Sequence, residues 1–428
     1  MLFDQTLTYI SLFSGAGVGC YGLLEEGFEC VATNEILEKR LNIQRINRKC
    51  KFDESYISGD IKKPETKEKI LKQIEFYSKK FGNDRVDLVV ATPPCQGMSV
   101  ANHKKKNDEI KRNSLVVESI DLIKQIKPRF FILENVPSFY KTGCIDKNDN
   151  LLEIGSMIEQ NLSGDYMLYD EVINFKNFGA NSSRTRTLVI GVCKEFKDFI
   201  SALEFFPDFK QEKTLKEVIG SLKPLAWGEY DSTDFYHSFR TYPKHMQEWI
   251  KDLKEGQSAF ENVQDAISDL AYLCSNEGAF ESDYLNPIQS SYQALMRKDS
   301  PKLYNHQATN HSQAALEKLK LINKEQGKEC LPKNLHGKQQ FKSTWGRLNW
   351  NKISPTIDTR FDTPSNGTNS HPELHRSITP REAARIQSFS DNYIFYGNKT
   401  SVCKQIGNAV PPLLALALGK AILKSLRK

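Results

Sequence analysis

The feature that most narrows what this chain can become is the rhythm of its first 195 residues, where short β-rich apolar runs alternate with longer amphipathic stretches. The runs at residues 8–13, 30–33, 86–91, 130–133 and 188–192 are mostly apolar on both faces. Strands buried on both sides belong to parallel sheets, whose crossover helices cover the two faces. Between two of these runs, Ser114–Ile126 sets Val116, Ile120, Ile123 and Ile126 along one helical stripe, and Pro128 stops the helix before the next strand. This alternation predicts a doubly wound α/β sheet, with ligands at the carboxyl ends of the strands.

Beyond about residue 200 the alternation fades into a region richer in Asn, Ser, Tyr and charge, weakly periodic as far as about 370. Helical signals return at Thr379, a cap followed by Pro380 at the first helical position and Glu382 at the third. The length of 428 residues, at roughly 150 per domain, predicts two or three packed cores. No run approaches the eighteen or so apolar residues of a membrane span, and the most apolar one, 409–418, is interrupted by Pro411 and Pro412. Met1-Leu2-Phe3-Asp4-Gln5 does not read as a leader, so a soluble cytoplasmic protein without membrane contact is expected. The nine cysteines are scattered without a Cys-x-x-Cys pair, which argues against disulfide frameworks and metal sites. A net charge of +6 permits an acidic partner such as nucleic acid without demonstrating one.

Four short segments carry chemistry. Phe13-Ser14-Gly15-Ala16-Gly17-Val18-Gly19 follows the first strand, where glycines let backbone approach a ligand. Asn34-Glu35 closes the second strand with a carboxylate able to accept from ribose hydroxyls, and Asp60 in Gly59-Asp60-Ile61 is placed to accept from an adenine amino group. Together they point to an adenosine-containing cofactor. Pro93-Pro94-Cys95-Gln96 follows the strand at 86–91, where two prolines stiffen a loop that presents a thiol nucleophile at the ligand edge. Glu134-Asn135-Val136 ends a fully apolar strand, so the Glu134 carboxyl is expected to hold its proton more tightly than usual. Arg184-Thr185-Arg186 puts two guanidinium groups on one side of an extended segment. The bland readings are a turn glycine, a buried thiol, a cap and a solvated edge.

In their order and spacing, Gly15-x-Gly17, Glu35, Asp60, Pro93-Pro94-Cys95-Gln96, Glu134-Asn135-Val136 and Arg184-x-Arg186 resemble the motif series of the DNA (cytosine-5) methyltransferases. Arg376-x-x-Thr379-x-x-Glu382-x-Ala384-Arg385-x-Gln387-x-Phe389 and Gln405-Ile406-Gly407-Asn408-Ala409-Val410-Pro411 resemble the family's last two motifs. Ser11, Val18, Ala91-Thr92 and Ser182 depart from the family pattern, Ser182 standing where a glutamine is usual.

The resemblance implies a Rossmann-like S-adenosylmethionine-dependent methyltransferase fold with an inserted, irregular target-recognition domain. Residues 1–195 would form the catalytic domain, 196–370 the recognition domain, and 371–428 a segment returning to the catalytic domain. S-adenosylmethionine would lie against Phe13, Gly15, Ala16, Gly17, Glu35, Ile36, Asp60, Ile61, Pro93 and Leu115, with Asn408 and Val410 closing the site. Cys95 would add to carbon 6 of a flipped-out cytosine, Glu134 would hold a proton at ring nitrogen 3, Arg186 would bind the ring oxygen and Arg184 would help to position the site. Double-stranded DNA would meet Lys104, Lys105 and Lys106 and the basic, aromatic segment containing Lys342, Arg347 and Arg360. The family also implies a cognate restriction endonuclease as functional partner and a monomeric enzyme. The rival readings are a transfer-RNA cytosine-5 methyltransferase, whose Cys-Phe-Thr tripeptide is missing here, a catalytically silent DNA-binding homologue, and a nicotinamide dehydrogenase.

Overall fold

The computed structural model describes residues 6–83, 85–94, 113–197, 211–222, 281–282, 290–298, 300, 302–309, 311–322, 327–335 and 343–426. The chain divides into two compact units, one of residues 1–213 with 409–428 and the other of residues 214–408.

The first unit is built on strands β1 (Thr8–Leu12), β2 (Glu29–Glu35), β3 (Tyr56–Ser58), β4 (Leu88–Ala91), β5 (Phe130–Asn135), β8 (Tyr166–Asn174) and β9 (Thr185–Cys193). A small hairpin, β6 (Gly143–Ile145) with β7 (Leu151–Glu153), stands apart. The sheet order is β3-β2-β1-β4-β5-β9-β8, so β1 lies at the point where the winding reverses. Strands β1 to β5 run parallel, and β9 is antiparallel to both β5 and β8. The expectation of a parallel strand at 188–192 is therefore corrected. The β8–β9 link, residues 175–184, is too short for the crossover that a parallel neighbour would need.

Alternation along the strands divides the core in two. Tyr9, Leu88, Val90, Phe130, Ile132, Leu188 and Ile190 face helices α1 (Tyr21–Glu25) and α11 (Pro412–Leu426). Ile10, Leu12, Val89, Phe131, Leu133 and Val189 face α3 (Pro64–Phe81), α4 (Leu115–Ile126) and α5 (Ile154–Leu162). The helix expected at 114–126 is α4, with Val116, Ile120 and Ile123 buried. A Cβ on Gly22 would lie 2.0 Å from the Pro412 carbonyl oxygen, so the absent side chain lets α1 and α11 meet backbone to backbone. Among the described residues, the helical stretch Lys399–Leu426 is long and apolar enough to cross a membrane, yet 78% of its most apolar window is buried within the fold. Contact with α1 explains the apolarity of its α11 portion.

The second unit is held by buried polar groups as much as by apolar ones. Its helices among the described residues are short: α6 (Leu215–Ile219), α7 (Ser291–Arg297), α8 (Gln313–Leu321), α9 (Pro380–Ile386) and α10 (Lys399–Gly407). Thr379 and Glu382 form the expected capping box at α9, the Thr379 N–H donating to Glu382 Oε2 at 2.7 Å. Arg376, Arg381 and Arg385 are fully buried. Arg376 grips both oxygens of Glu382 at 2.8 Å, Arg385 binds Asp391 at 3.0 and 2.6 Å, and Arg381 donates to the carbonyls of Tyr304, Ser390 and Tyr393. These arginines tie 376–391 to its own unit, which is why residues 371–408, expected with the first unit, fall in the second.

Candidate active site

Five parallel strands deliver their carboxyl ends to one edge of the first unit. After β1 the chain turns sharply, with Phe13, Gly15 and Gly17 at φ of 54°, 55° and 84°. The Gly17 N–H donates to the Ser14 carbonyl at 2.8 Å and the Ser14 N–H to the Asn34 carbonyl at 3.0 Å, so the turn is fastened to the end of β2. A Cβ on Gly15 would meet nothing within 4 Å: its glycine serves the backbone angle and leaves open space in front of the turn.

Glu35 ends β2 in a buried position. Its carboxylate accepts the Gly15 N–H at 2.9 Å, the Leu37 N–H at 3.1 Å and the Arg40 guanidinium at 3.3 Å. The next side chain, Ile36, is 60% exposed, an apolar surface beside an acid and a glycine turn. At the end of β3, Asn34 reaches the Ile57 and Gly59 carbonyls, which sets Asp60 at the same edge; the Asp60 carboxylate accepts the Lys62 N–H at 3.0 Å. Ile61 is buried in the core, and Leu115 and Phe13 pack against that same core. Val410 lies against the turn from the C-terminal segment, 3.3 Å from where a Gly19 Cβ would be. Asn408 is the last residue of the second unit.

Pro93 and Pro94 follow β4 at this edge, with the Pro93 carbonyl accepting from Asn135 Nδ2 at 2.9 Å. Thr92 Oγ1 donates to the Phe13 carbonyl at 3.1 Å, so the loops after β1, β4 and β5 are linked. In the sequence Asn135 is marked only as a member of its tripeptide; its role as a brace between β5 and the proline loop comes from the fold. Cys95 lies outside the described residues, as do Lys104, Lys105, Lys106 and Lys342.

Glu134 ends the apolar face of β5 formed by Phe130 and Ile132. Its cross-strand partner is Leu188, so Arg186, two residues back on β9, is its diagonal neighbour on the same face. Arg186 Nε stands 3.4 Å from Glu134 Oε1, a buried oxygen that accepts no hydrogen bond among the described residues. Burial pushes the Glu134 carboxyl above its ordinary value, and the Arg186 and Arg184 charges oppose the rise without cancelling it. Its protonated form is therefore favoured more than that of an exposed glutamate, in a partly cationic, desolvated setting. Ser182 and Arg184 are buried at the same end of the strand.

The two arginines of the basic segment expected to meet DNA differ in their surroundings. Arg347 is buried within the second unit, where its guanidinium donates to the carbonyls of Ile322, His371, Leu374 and Leu319 and reaches His375 Nδ1. Four of its N–H groups are thus given to carbonyls inside the protein. Arg360 is different: its side chain is 58% exposed, with Asp362 3.9 Å away.

The model of the C-5 cytosine-specific DNA methylase family matches residues 7–424. The type II methyltransferase M.DdeI of Desulfomicrobium norvegicum is 30% identical over 357 residues, covering 79% of this chain and 72% of that protein. The type II methyltransferase M.XorII of Xanthomonas oryzae pv. oryzae is 26% identical over 430 residues, covering 98% and 85%. A crystal structure of a DNA modification methyltransferase encoded within an Escherichia coli prophage superposes with a TM-score of 0.63 at 24% identity, covering 99% of this chain and all of that one, a likeness of fold. With a mostly parallel sheet, a glycine turn and acids at its carboxyl edge, and a family match over nearly its whole length, this chain belongs to the C-5 cytosine-specific DNA methylase family.

Proposed function

We propose that this protein transfers a methyl group from S-adenosylmethionine to carbon 5 of cytosine within a specific double-stranded DNA sequence. The observation that carries the reading is the buried Glu134 carboxyl, raised above its ordinary value by burial and 3.4 Å from Arg186, at the edge that also bears the glycine turn, Glu35 and Asp60. The turn's open face, the Glu35 carboxylate, the exposed Ile36 and Asp60 suit a nucleoside with vicinal hydroxyls and a flat apolar base. When bound, S-adenosylmethionine supplies an electrophilic methyl group. Phe13, Gly15, Ala16, Gly17, Glu35, Ile36, Asp60, Ile61, Pro93, Leu115, Asn408 and Val410 are the residues proposed to hold it.

Carbon 5 of cytosine is a weak nucleophile. The Cys95 thiolate adds to carbon 6 and pushes electron density towards carbon 5, which takes up the methyl group; a base then removes the carbon 5 proton, and the ring recovers its aromaticity as the thiolate leaves. Glu134 keeps a proton at ring nitrogen 3, which draws off charge as the thiolate attacks. Arg186, within reach of the same carboxyl, binds the ring oxygen, and Arg184 adds positive potential behind it. The irregular stretch within 196–370 reads the DNA sequence, with the exposed Arg360 and the lysines at 104–106 and 342 as phosphate contacts. The likeness to type II methyltransferases supports a role in protecting host DNA from a cognate endonuclease, and a monomeric, cytoplasmic enzyme is part of the same proposal.

The test is radiolabelled methyl transfer to unmethylated genomic DNA and, in parallel, to total transfer RNA, with wild type beside Cys95→Ala, followed by bisulfite sequencing. Methylcytosine in one short DNA sequence, lost in the variant, is the expected result. Label only in RNA would replace the DNA reading, and label in neither, with DNA still bound, would mean a silent homologue.

A further inference from the structure

The glycine turn is held from behind by a hydrogen-bond relay that lies outside every motif identified in the sequence. Gln44, fully buried on α2 (Glu38–Ile46), donates from Nε2 to the Gly15 carbonyl at 2.7 Å and to Ser14 Oγ at 2.8 Å. Its Oε1 accepts from Thr33 Oγ1 at 2.7 Å. Thr33 Oγ1 in turn accepts from Nζ of Lys49, itself buried, at 3.1 Å.

The direction of this relay is set at one end. An ammonium group only donates, so Thr33 accepts from Lys49 and turns its own proton towards Gln44. The Gln44 oxygen therefore faces Thr33, and both amide N–H groups face the turn. Gly17 makes room for the arrangement: a Cβ there would lie 2.6 Å from Gln44 Cγ and 3.2 Å from Lys49 Cδ. On its other side Gly15 donates its N–H to Glu35 Oε2 at 2.9 Å, so both polar backbone atoms of Gly15 are gripped. β2 supplies the two anchors, Thr33 and Glu35, two residues apart.

We infer that Lys49, Thr33 and Gln44 are positioning residues for cofactor binding, which set the Gly15 peptide and, through its N–H, the Glu35 carboxylate in the arrangement that receives the nucleoside. The inference rests on the cofactor reading above. The relay acts through the turn and leaves Cys95, Glu134 and Arg186 untouched.

The experiment compares wild type, Gln44→Met, Thr33→Val, Thr33→Ser and Lys49→Met. Calorimetric titration with S-adenosylhomocysteine gives affinity, thermal melting reports folding, and steady-state assays separate KM for each substrate from kcat. Gln44→Met should weaken binding about 10- to 100-fold, and Thr33→Val about tenfold, the size expected for lost buried hydrogen bonds. Thr33→Ser, which keeps the hydroxyl, should bind as wild type does, and Lys49→Met should fall between. KM for S-adenosylmethionine should rise in parallel, with KM for DNA and saturated kcat within about twofold of wild type. Folded variants with unchanged affinity would overturn the inference, as would a Thr33→Ser protein no better than Thr33→Val, since packing alone would then explain the relay. If Gln44→Met does not fold, the Thr33 pair decides. Wild type that binds no S-adenosylhomocysteine would instead sink the cofactor reading.

Discussion

Two buried glutamates beside arginines behave in opposite ways in this protein. Glu382, in the second unit, takes both oxygens to Arg376 at 2.8 Å and a third bond from the Thr379 N–H at 2.7 Å. Burial alone would raise its carboxyl, but the charge and hydrogen bonds of Arg376, helped by His371 and His306, hold it far below the ordinary value. Glu134, in the first unit, has Arg186 no nearer than 3.4 Å and a buried oxygen without a hydrogen bond among the described residues, and its carboxyl is raised. Burial is common to both; the number and geometry of donors to the ionised form differ. A fully satisfied pair fixes the fold, whereas a half-satisfied acid has its protonated form favoured. The contrast separates a unit whose ionic groups are internal fasteners from a site whose ionic groups await a substrate.

The sharpest break of this comparison is neutralisation of each acid. Glu134→Gln should lower methyl transfer by about 10²- to 10⁴-fold, the usual contribution of a positioned proton donor, while stability stays the same or rises. Glu382→Gln should do the reverse, costing about 3–5 kcal/mol in urea unfolding because it strands the buried Arg376 charge. Equal losses of stability in the two variants would erase the distinction.

Acidity sharpens it next. Between the ordinary carboxyl value of 4.5 and the raised value of Glu134, the folded protein keeps a proton that the unfolded chain has released, so stability falls as pH rises through that window. Glu382 is lowered from 4.5, so its contribution is present above that value and drains away as pH drops below it. Measured by unfolding across pH, the stability gained by Glu134→Gln should grow above 4.5, and the stability lost by Glu382→Gln should shrink below it.

The smallest effects separate two arginines of one basic segment. Arg347→Lys loses the fork that spans four carbonyls and should cost about 1–3 kcal/mol of stability, leaving the salt dependence of DNA binding as it was. Arg360→Ala should leave stability within about 0.5 kcal/mol and reduce the slope of log affinity against log salt by about 0.9, one phosphate contact. A reversed pattern in the salt titration would return Arg347 to the DNA surface.

Much of the first unit was legible before any coordinates. The five apolar runs are strands, the stripe at 114–126 is a helix, and the Thr379 capping box is formed as written. β8 escaped notice because Asp170, Glu171 and the half-exposed Val172 break the apolar pattern on a strand only partly covered, and β3 because three residues carry too little periodicity. At the candidate site, Glu35, Asp60 and Glu134 stand at strand ends as their motifs indicate. Gln44, Thr33 and Lys49 were invisible, since a polar residue in a charged helix and a threonine in a strand look like solvated positions until the turn is folded over them.

Sequence alone determined the strand–helix alternation and the chemistry of the turns, because both are written in residues a few positions apart: side-chain period, glycine at left-handed angles, proline after a strand. Tertiary structure decided the direction of β9, the unit to which residues 371–408 belong, the engagement of Arg347 and the opposite shifts of the Glu134 and Glu382 carboxyls. Each of those depends on groups tens of residues away, or on the burial that only the packed fold creates, brought into one small volume whose low dielectric makes every missing or added hydrogen bond count.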